Sequence, residues 1–157
     1  MKTFGVKLDH FNASKDNTAT FSMRYILNET FNTDKKGPIL FYAGNEGSID
    51  VFYDNSGFML DVLAPALNAS VVFGEHRYYG ESMPFGNKSI AFDATNLKYL
   101  NVEQVFMDYV ELLKSIKANN TYNNFNGTGM ATPVYSFGGS YGGMLAGWLR
   151  MKYPTHF

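Results

Sequence analysis

The sequence contains no cysteine, so disulfide bonds give no indication of the cellular compartment. It also lacks any apolar run approaching ~18 residues, so its hydrophobic pattern predicts no transmembrane helix. Neither sign of charge is in excess, and the formal net charge is −1. Such a balance suggests neither a nucleic-acid nor a membrane partner. The N-terminus lacks an apolar segment, so we expect no signal peptide within this chain.

Hydrophobic side chains, by contrast, are plentiful. They make up 45% of the 157 residues, and 17% of the residues are aromatic. This is enough for a packed core and argues against disorder. The length corresponds to one domain, and we find no internal repeat that would divide it. We therefore assign residues 1–157 to a single domain.

Short apolar segments between turn residues predict the strands of a sheet. FGVKLDHF and TFSMRYIL are typical of two short strands, while GPILFYAG, NASVVFGEH and TPVYSF predict three more. After Asn101, a plausible N-cap, apolar side chains recur at helical spacing, and MLAGWLRMKY predicts a second helix that stops before Pro154. Alternation of buried strands and helices favours the α/β class with a mostly parallel sheet.

Asparagine sequons point to a secretory compartment. Six asparagines begin N-x-S/T without an intervening proline: Asn12, Asn28, Asn68, Asn87, Asn119 and Asn126. Sequons accept glycans only on accessible loops of proteins that enter the secretory pathway. The alternative is an asparagine-rich composition that reflects an AT-rich genome. We favour a secreted or lysosomal protein.

The stretch YSFGGSYGGM carries the chemistry. Gly138, Ser140 and Gly142 match G-x-S-x-G between a predicted strand and a predicted helix, which is the context of a nucleophile elbow. Glycines allow the tight turn, and the helix N-terminus lets the Tyr141 amide donate to an oxyanion. The alternative is a glycine-rich turn that binds phosphate, which is disfavoured because no G-K-S/T follows.

A second glycine turn, YAGNEGSID, follows the first long buried strand. In α/β-hydrolases the loop at this place supplies the other oxyanion N–H, which Gly44 or Asn45 could provide. Asn45 and Glu46 could also face the substrate, where a carboxylate and an amide suit a free amino group. The equal alternative is a capping turn in which Glu46 and Asp50 favour a helix N-terminus.

The stretch FGEHRYYGES concentrates charged and aromatic residues after the next strand. Burial of Glu75, His76 and Arg77 together would require mutual pairing, which predicts a structural network beneath the site loops. None of the three histidines is expected to be the catalytic base. His76 precedes the serine, His10 belongs to the first strand pair, and His156 follows Ser140 too closely for an intervening acid.

Longer stretches carry a more specific signal. LDHFN, TFSMRY, GPILFYAGNEGSI, VVFGEHRYYGESMPFG, VEQ and FGGSYGGMLAGWLRMKYP resemble the serine peptidase family of lysosomal Pro-X carboxypeptidase and dipeptidyl peptidase II. The resemblance runs in register from about Leu8 to Pro154. Small departures occur at Ser48, where an acidic residue is usual, at Gly74 in place of alanine and at Met83 in place of leucine.

The resemblance implies that this chain is the N-terminal part of an α/β-hydrolase catalytic domain. It implies acyl-enzyme cleavage of peptides with a proline near one end by a Ser-Asp-His triad, in lysosomes or outside the cell, usually by a homodimer. Neither a metal nor an organic cofactor is implied. Carried over, Ser140 is the nucleophile, Tyr141 is an oxyanion donor, and residues 44–47 line the site.

Family members continue past the equivalent of residue 157 into further strands, a helical insertion, the acid and the histidine. We therefore expect an incomplete fold, inactive by itself, from a serine exopeptidase of either the carboxypeptidase or the dipeptidyl peptidase type. The alternatives are a truncated product without catalysis and an esterase or lipase on the same fold.

Overall fold

A computed structural model of the chain describes residues 1–14, 18–119, 122, 125–127 and 130–157. Its strands are β1 (Lys2–Lys7), β2 (Thr20–Asn28), β3 (Ile39–Ala43), β4 (Ser70–Gly74) and β5 (Val134–Phe137). Within these described residues they form one sheet in the order β1-β2-β4-β3-β5. β4, β3 and β5 are parallel, whereas β2 runs antiparallel to both β1 and β4. The chain is therefore a mixed α/β protein whose parallel strands adjoin the predicted site.

The helices lie on both faces of this sheet. They are α1 (Ile49–Asp54), a π-helical segment (Phe58–Leu63) continuing into α2 (Ala64–Ala66), α3 (Lys88–Ala91), α4 (Val102–Asn119) and α5 (Ser140–Lys152). Three short 3-10 turns, Pro84–Gly86, Leu97–Tyr99 and Phe125–Gly127, complete the helical elements of the described part. Within that part, no helix is both long and apolar enough to span a membrane.

Side chains of the central strands alternate between two hydrophobic clusters, because successive residues of a strand point to opposite faces. Phe41 of β3 and Val72 of β4 belong to the cluster formed with α4 and α5. Leu40 and Phe73 belong to the cluster on the other face, which includes buried side chains of residues 49–66. The sheet is thus a middle layer that fixes the ends of β3, β4 and β5 relative to one another.

Most predicted elements are confirmed, although several ends differ. The side chain of Asn101 accepts a hydrogen bond from the Gln104 amide at 3.0 Å, so the predicted cap of α4 is confirmed. β1 ends at Lys7 and does not extend through the predicted FGVKLDHF. α5 begins at Ser140 and not at Met144, because the intervening glycines are already helical. The expectation of a mostly parallel sheet holds only for β4, β3 and β5, since β1 and β2 add antiparallel strands.

The predicted glycosylation sites differ in accessibility. Asn12, Asn68 and Asn87 have exposed side chains, as a glycan acceptor requires. Asn28 is half-buried, and its Nδ2 atom, the acceptor atom for a glycan, donates to the Tyr53 hydroxyl at 2.9 Å. The side chains of Asn119 and Asn126 lie outside the described part of the structure. Glycosylation at all six positions stays a prediction.

Candidate active site

Ser140 lies at the sharp turn between β5 and α5. It is the first residue of α5, it is exposed, and its φ of 51° lies in the left-handed region that residues with a Cβ rarely adopt. Neighbouring glycines make the turn possible. A Cβ on Gly138 would stand 2.2 Å from the Gly142 carbonyl oxygen, and a Cβ on Gly142 would stand 2.6 Å from the Ala43 oxygen. The G-x-S-x-G pattern therefore has a steric explanation.

The first turn of α5 places amides that have no acceptor within the helix beside Ser140. The first backbone bond of this turn joins the Gly143 N–H to the Gly139 carbonyl at 3.2 Å. The Tyr141 amide precedes it, so it belongs to the orphan donors of the helix N-terminus. Together with the helix dipole, such an amide favours negative charge next to the serine.

The loop after β3 lies against this turn, but its first amide is already engaged. The Gly44 N–H donates to the Gly74 carbonyl at 3.0 Å, and the Gly44 carbonyl accepts from the Tyr109 hydroxyl at 3.0 Å. This geometry corrects the assignment of Gly44 as an oxyanion donor, because its N–H is used within the sheet. The next amide along the loop, that of Asn45, takes over that role in our interpretation.

Asn45 connects the loop directly to the serine turn. Its Nδ2 donates to the Gly139 carbonyl at 3.3 Å. Its Oδ1 is buried and accepts no hydrogen bond from the described residues. A buried acceptor without a partner is energetically unfavourable. The structure thus brings Asn45 to the residue that precedes Ser140, and its contact with a substrate stays a prediction.

An ion pair between the half-buried Arg24 and the buried Glu75 supports this loop. Arg24 donates to Glu75 through Nη2 at 2.6 Å and through Nε at 3.1 Å, and its Nη2 also reaches Ser48 and Asp50. Glu75 accepts in turn from the Ile49 amide at 3.0 Å. Burial raises the pKa of the Glu75 carboxyl, but hydrogen bonds from Arg24, Ser82 and Ile49 outweigh it, so that pKa lies below its ordinary value.

Glu46 is exposed at the tip of the same loop. Burial raises the pKa of the Tyr79 and Tyr141 hydroxyls, and the charge of Glu46 raises them further. The carboxylate therefore lies within electrostatic reach of the residue that follows Ser140. An acidic group here favours a positively charged substrate group.

Glu75, His76 and Arg77 are all buried, as predicted, but no hydrogen bond or ion pair joins their side chains to one another in the described part of the chain. Glu75 pairs with Arg24, whereas Arg77 donates to both carboxylate oxygens of Asp108 at 2.7 Å. The expected mutual pairing is wrong, because each charged side chain has its partner on another element, β2 for Glu75 and α4 for Arg77. The expected structural network under the site loops is nevertheless present.

The three histidines have partners other than the serine. His10 contacts Asp108 at 2.7 Å, His76 contacts the Tyr141 hydroxyl at 3.2 Å, and His156 contacts the neighbouring Thr155 hydroxyl at 3.0 Å. No hydrogen bond joins a histidine of the described part to Ser140. That none of these three is the base stays a prediction.

One cavity reaches the serine turn, and a separate groove lies along β5. A cavity of about 190 Å³, lined by Tyr42, Phe58, Phe137 and other residues, reaches Gly138. A larger groove of about 630 Å³ follows the outer edge of β5 and includes the C-terminal residues 154–157. In the described part of the chain, no group of three or more histidine, aspartate or glutamate side chains is placed to hold a metal ion.

Sequence reasoning missed several residues that shape the site. Tyr109 fixes the Gly44 carbonyl from α4, and Arg24 of β2 anchors the loop after β3. The signal that could have identified Arg24 is its place in TFSMRYIL, where a charged residue interrupts a strand that is otherwise largely apolar or aromatic. A charge within such a strand requires a buried partner.

The buried His76 leads to a pH-dependent stability. Burial lowers the pKa of His76 from 6.5 to about 4. Between these values the unfolded chain binds a proton that the folded chain excludes, so stability is lost as the pH falls through this window. We expect the free energy of unfolding to decrease by about 2 kcal/mol between pH 7 and pH 5. Urea unfolding at both pH values measures this change.

The matched variants are His76→Gln and His156→Gln. Removing His76 is expected to abolish most of the decrease between pH 7 and pH 5. Removing His156 is expected to leave most of it, because His156 is only partly buried and burial lowers its pKa less strongly. An equal pH dependence in His76→Gln and the parent protein would contradict the assignment.

Comparison with known proteins places the chain in a family. The family model described as serine carboxypeptidase S28 matches residues 6–157. A serine protease of Caenorhabditis elegans is 51% identical over 150 residues, which are 95% of this chain and 25% of that protein. Lysosomal Pro-X carboxypeptidase of Homo sapiens is 47% identical over 153 residues, 96% of this chain and 28% of that protein.

A more distant relative is thymus-specific serine protease of Mus musculus. It is 35% identical over 147 residues, which are 94% of this chain and 26% of that protein. The chain therefore spans about a quarter of the length of the curated relatives it matches. The family match covers nearly all of the chain and includes the turn that carries Ser140. The chain belongs to the serine carboxypeptidase S28 family.

Proposed function

We propose that this chain is the N-terminal part of an α/β-hydrolase catalytic domain in a serine peptidase that cleaves prolyl bonds, with Ser140 as the nucleophile. The observation that carries the proposal is the left-handed, exposed Ser140 at the start of α5. A serine held there at about 1–3 kcal/mol of backbone strain is typical of a functional site. The membership of the S28 family supports peptidase chemistry.

The mechanism is acyl transfer. The Ser140 hydroxyl oxygen attacks the carbonyl carbon of the scissile bond while a histidine takes its proton, and the amides of Tyr141 and Asn45 bind the oxyanion. The protonated histidine then protonates the leaving amine, and the acyl-enzyme forms. Water attacks that ester by the same route and releases Ser140. The aspartate and the histidine of the triad are supplied by sequence outside these 157 residues, so the chain alone is inactive.

The substrate is a peptide with a proline near one end. Relatives named lysosomal Pro-X carboxypeptidase support cleavage of the bond after a penultimate proline. The exposed Glu46 favours instead a free amino group, as in dipeptidyl peptidase substrates. We propose the carboxypeptidase type as the first possibility, in a glycosylated homodimer that acts in lysosomes or outside the cell.

A comparison of three substrates tests this proposal on the complete polypeptide. We expect turnover of a blocked peptide that ends in Pro-X, little turnover of an X-Pro arylamide with a free N-terminus, and only slow turnover of a simple acyl ester. Turnover of the X-Pro arylamide in place of the Pro-X peptide would assign the dipeptidyl peptidase type. Turnover of the ester alone would assign the esterase alternative.

The non-catalytic alternative requires a separate measurement. A fluorophosphonate reacts only with an activated serine, and we expect mass spectrometry to locate the adduct at Ser140 of the complete polypeptide. The 157-residue chain alone is expected to remain unlabelled, because it lacks a base. A complete polypeptide that is folded but unlabelled would support a binding or inactive product.

A further inference from the structure

We propose that His76 is a positioning residue that, through the Tyr141 hydroxyl, fixes the backbone amide next to the nucleophile. The proposal rests on the proposed function, since that amide matters only if Ser140 reacts. It assigns to the EHRYYGES stretch a part in catalysis that lies beyond structural support.

The geometry links two separate parts of the sheet. His76 follows β4, and Tyr141 is the second residue of α5, which follows β5. β3 lies between β4 and β5, so neither strand can position the other directly. The bond between the His76 Nε2 and the Tyr141 hydroxyl, 3.2 Å long, spans this gap over 65 residues of sequence. The two rings also contact each other, with centroids 5.5 Å apart.

The direction of this hydrogen bond is fixed by its neighbour. The His76 Nδ1 lies 2.6 Å from the Arg77 carbonyl oxygen, which can only accept. Nδ1 must therefore carry the proton, and in a neutral imidazole Nε2 is then an acceptor. The Tyr141 hydroxyl has to donate. Both nitrogens of a side chain that is 1% exposed are satisfied only in this arrangement.

Burial keeps the imidazole neutral across the ordinary pH range, because it lowers the pKa of His76 to about 4. At any pH well above that value, the His76 Nε2 therefore accepts the hydrogen bond from the Tyr141 hydroxyl. The ring of Tyr79 packs edge-on against His76, with centroids 5.2 Å apart, and limits its rotation. A buried, neutral histidine with both ring nitrogens bonded is suited to hold the Tyr141 hydroxyl in one position.

The consequence concerns the oxyanion. The Tyr141 amide is an orphan donor in the first turn of α5, and its direction depends on the backbone at the strained Ser140. Without the hydroxyl bond the Tyr141 side chain no longer restrains that backbone. Displacing this donor by a fraction of an ångström weakens its hydrogen bond to the transition state more than it weakens substrate binding. Loss of the bond should therefore lower kcat and leave KM nearly unchanged.

The test is Tyr141→Phe in the complete polypeptide, which removes the hydroxyl and retains the ring. We expect kcat to fall about tenfold, with KM changed less than twofold, and the affinity for a peptide aldehyde, which mimics the tetrahedral intermediate, to fall by a similar factor. Tyr135→Phe removes the hydroxyl of a tyrosine that is 50% exposed on β5 and is the matched control. It should leave both quantities unchanged.

A double-mutant cycle completes the test. The single variant His76→Phe should lose as much kcat as Tyr141→Phe does. The double variant, His76→Phe with Tyr141→Phe, should lose no more than either single variant, because all three lack the same hydrogen bond. Additive losses, or a kcat of Tyr141→Phe equal to that of the parent, would overturn the proposal. If Ser140→Ala retains turnover, the proposed function fails instead, so the two failures are distinguishable.

Discussion

Replacing Ser140 with alanine is expected to reduce kcat for prolyl-peptide hydrolysis by the complete polypeptide about 10⁴-fold or more. The variant retains the orphan amides at the start of α5 but has no atom to form the acyl-enzyme. Alanine has a Cβ like serine, so the left-handed backbone at this position is no more strained than before. The expected result is a folded, inactive protein, measured by steady-state kinetics with circular dichroism as the check of folding.

The control for this substitution is Ser22→Ala, at an exposed position of β2. It removes a hydroxyl from the same sheet at a place that the proposed mechanism does not use, and kcat should not change. Turnover by Ser140→Ala at more than a few per cent of the parent value would disprove Ser140 as the nucleophile. Loss of folding in Ser140→Ala would indicate a structural role for the hydroxyl.

Replacing Asp108 with alanine is expected to destabilise the protein by about 3–5 kcal/mol. Five hydrogen bonds engage all five N–H donors of the buried Arg77, two to Asp108 and the others to the carbonyls of Lys7, Leu8 and Tyr99. Without the carboxylate this cation stays buried and unpaired. The Arg77 side chain also joins the end of β1 and the residue after it to α4, so loss of its ion pair affects two elements at once.

An exposed ion pair on the same helix provides the control. Glu111 and Lys114 of α4 lie 3.0 Å apart, and both side chains are about half exposed. Glu111→Ala should change the free energy of unfolding by less than about 1 kcal/mol, because solvent screens such pairs. Urea unfolding of both variants measures the difference. A loss in Asp108→Ala no larger than that in Glu111→Ala would contradict the assigned role of Arg77.

The sequence predicted the parts of the structure that depend on local pattern. The cap at Asn101, the central strands and the turn at Ser140 each follow from residues within a short window. The glycines around Ser140 were informative because only a close approach requires them, and the structure shows the contacts that a Cβ would violate. Local patterns therefore placed the nucleophile candidate correctly between a strand and a helix.

Pairings between distant residues were beyond such patterns. Arg24 meets Glu75 across 51 residues, and Arg77 meets Asp108 across 31. A single sequence does not show which carboxylate pairs with which arginine, because many different pairings would neutralise the same charges. The prediction that Gly44 is an oxyanion donor was wrong for a similar reason. Its amide bonds to Gly74, and that bond follows from the parallel register of β3 and β4 and not from the glycine itself.

The backbone at Ser140 also has an evolutionary consequence. Glycine adopts the left-handed conformation without steric penalty, so Ser140→Gly would relieve the strain of about 1–3 kcal/mol while removing the nucleophile. At this position the most stable residue and the reactive residue are different. Under selection for folding alone, glycine would replace serine at this position. Only selection for turnover retains the serine. The turn is thus a place where thermodynamic optimisation and activity oppose each other within one residue.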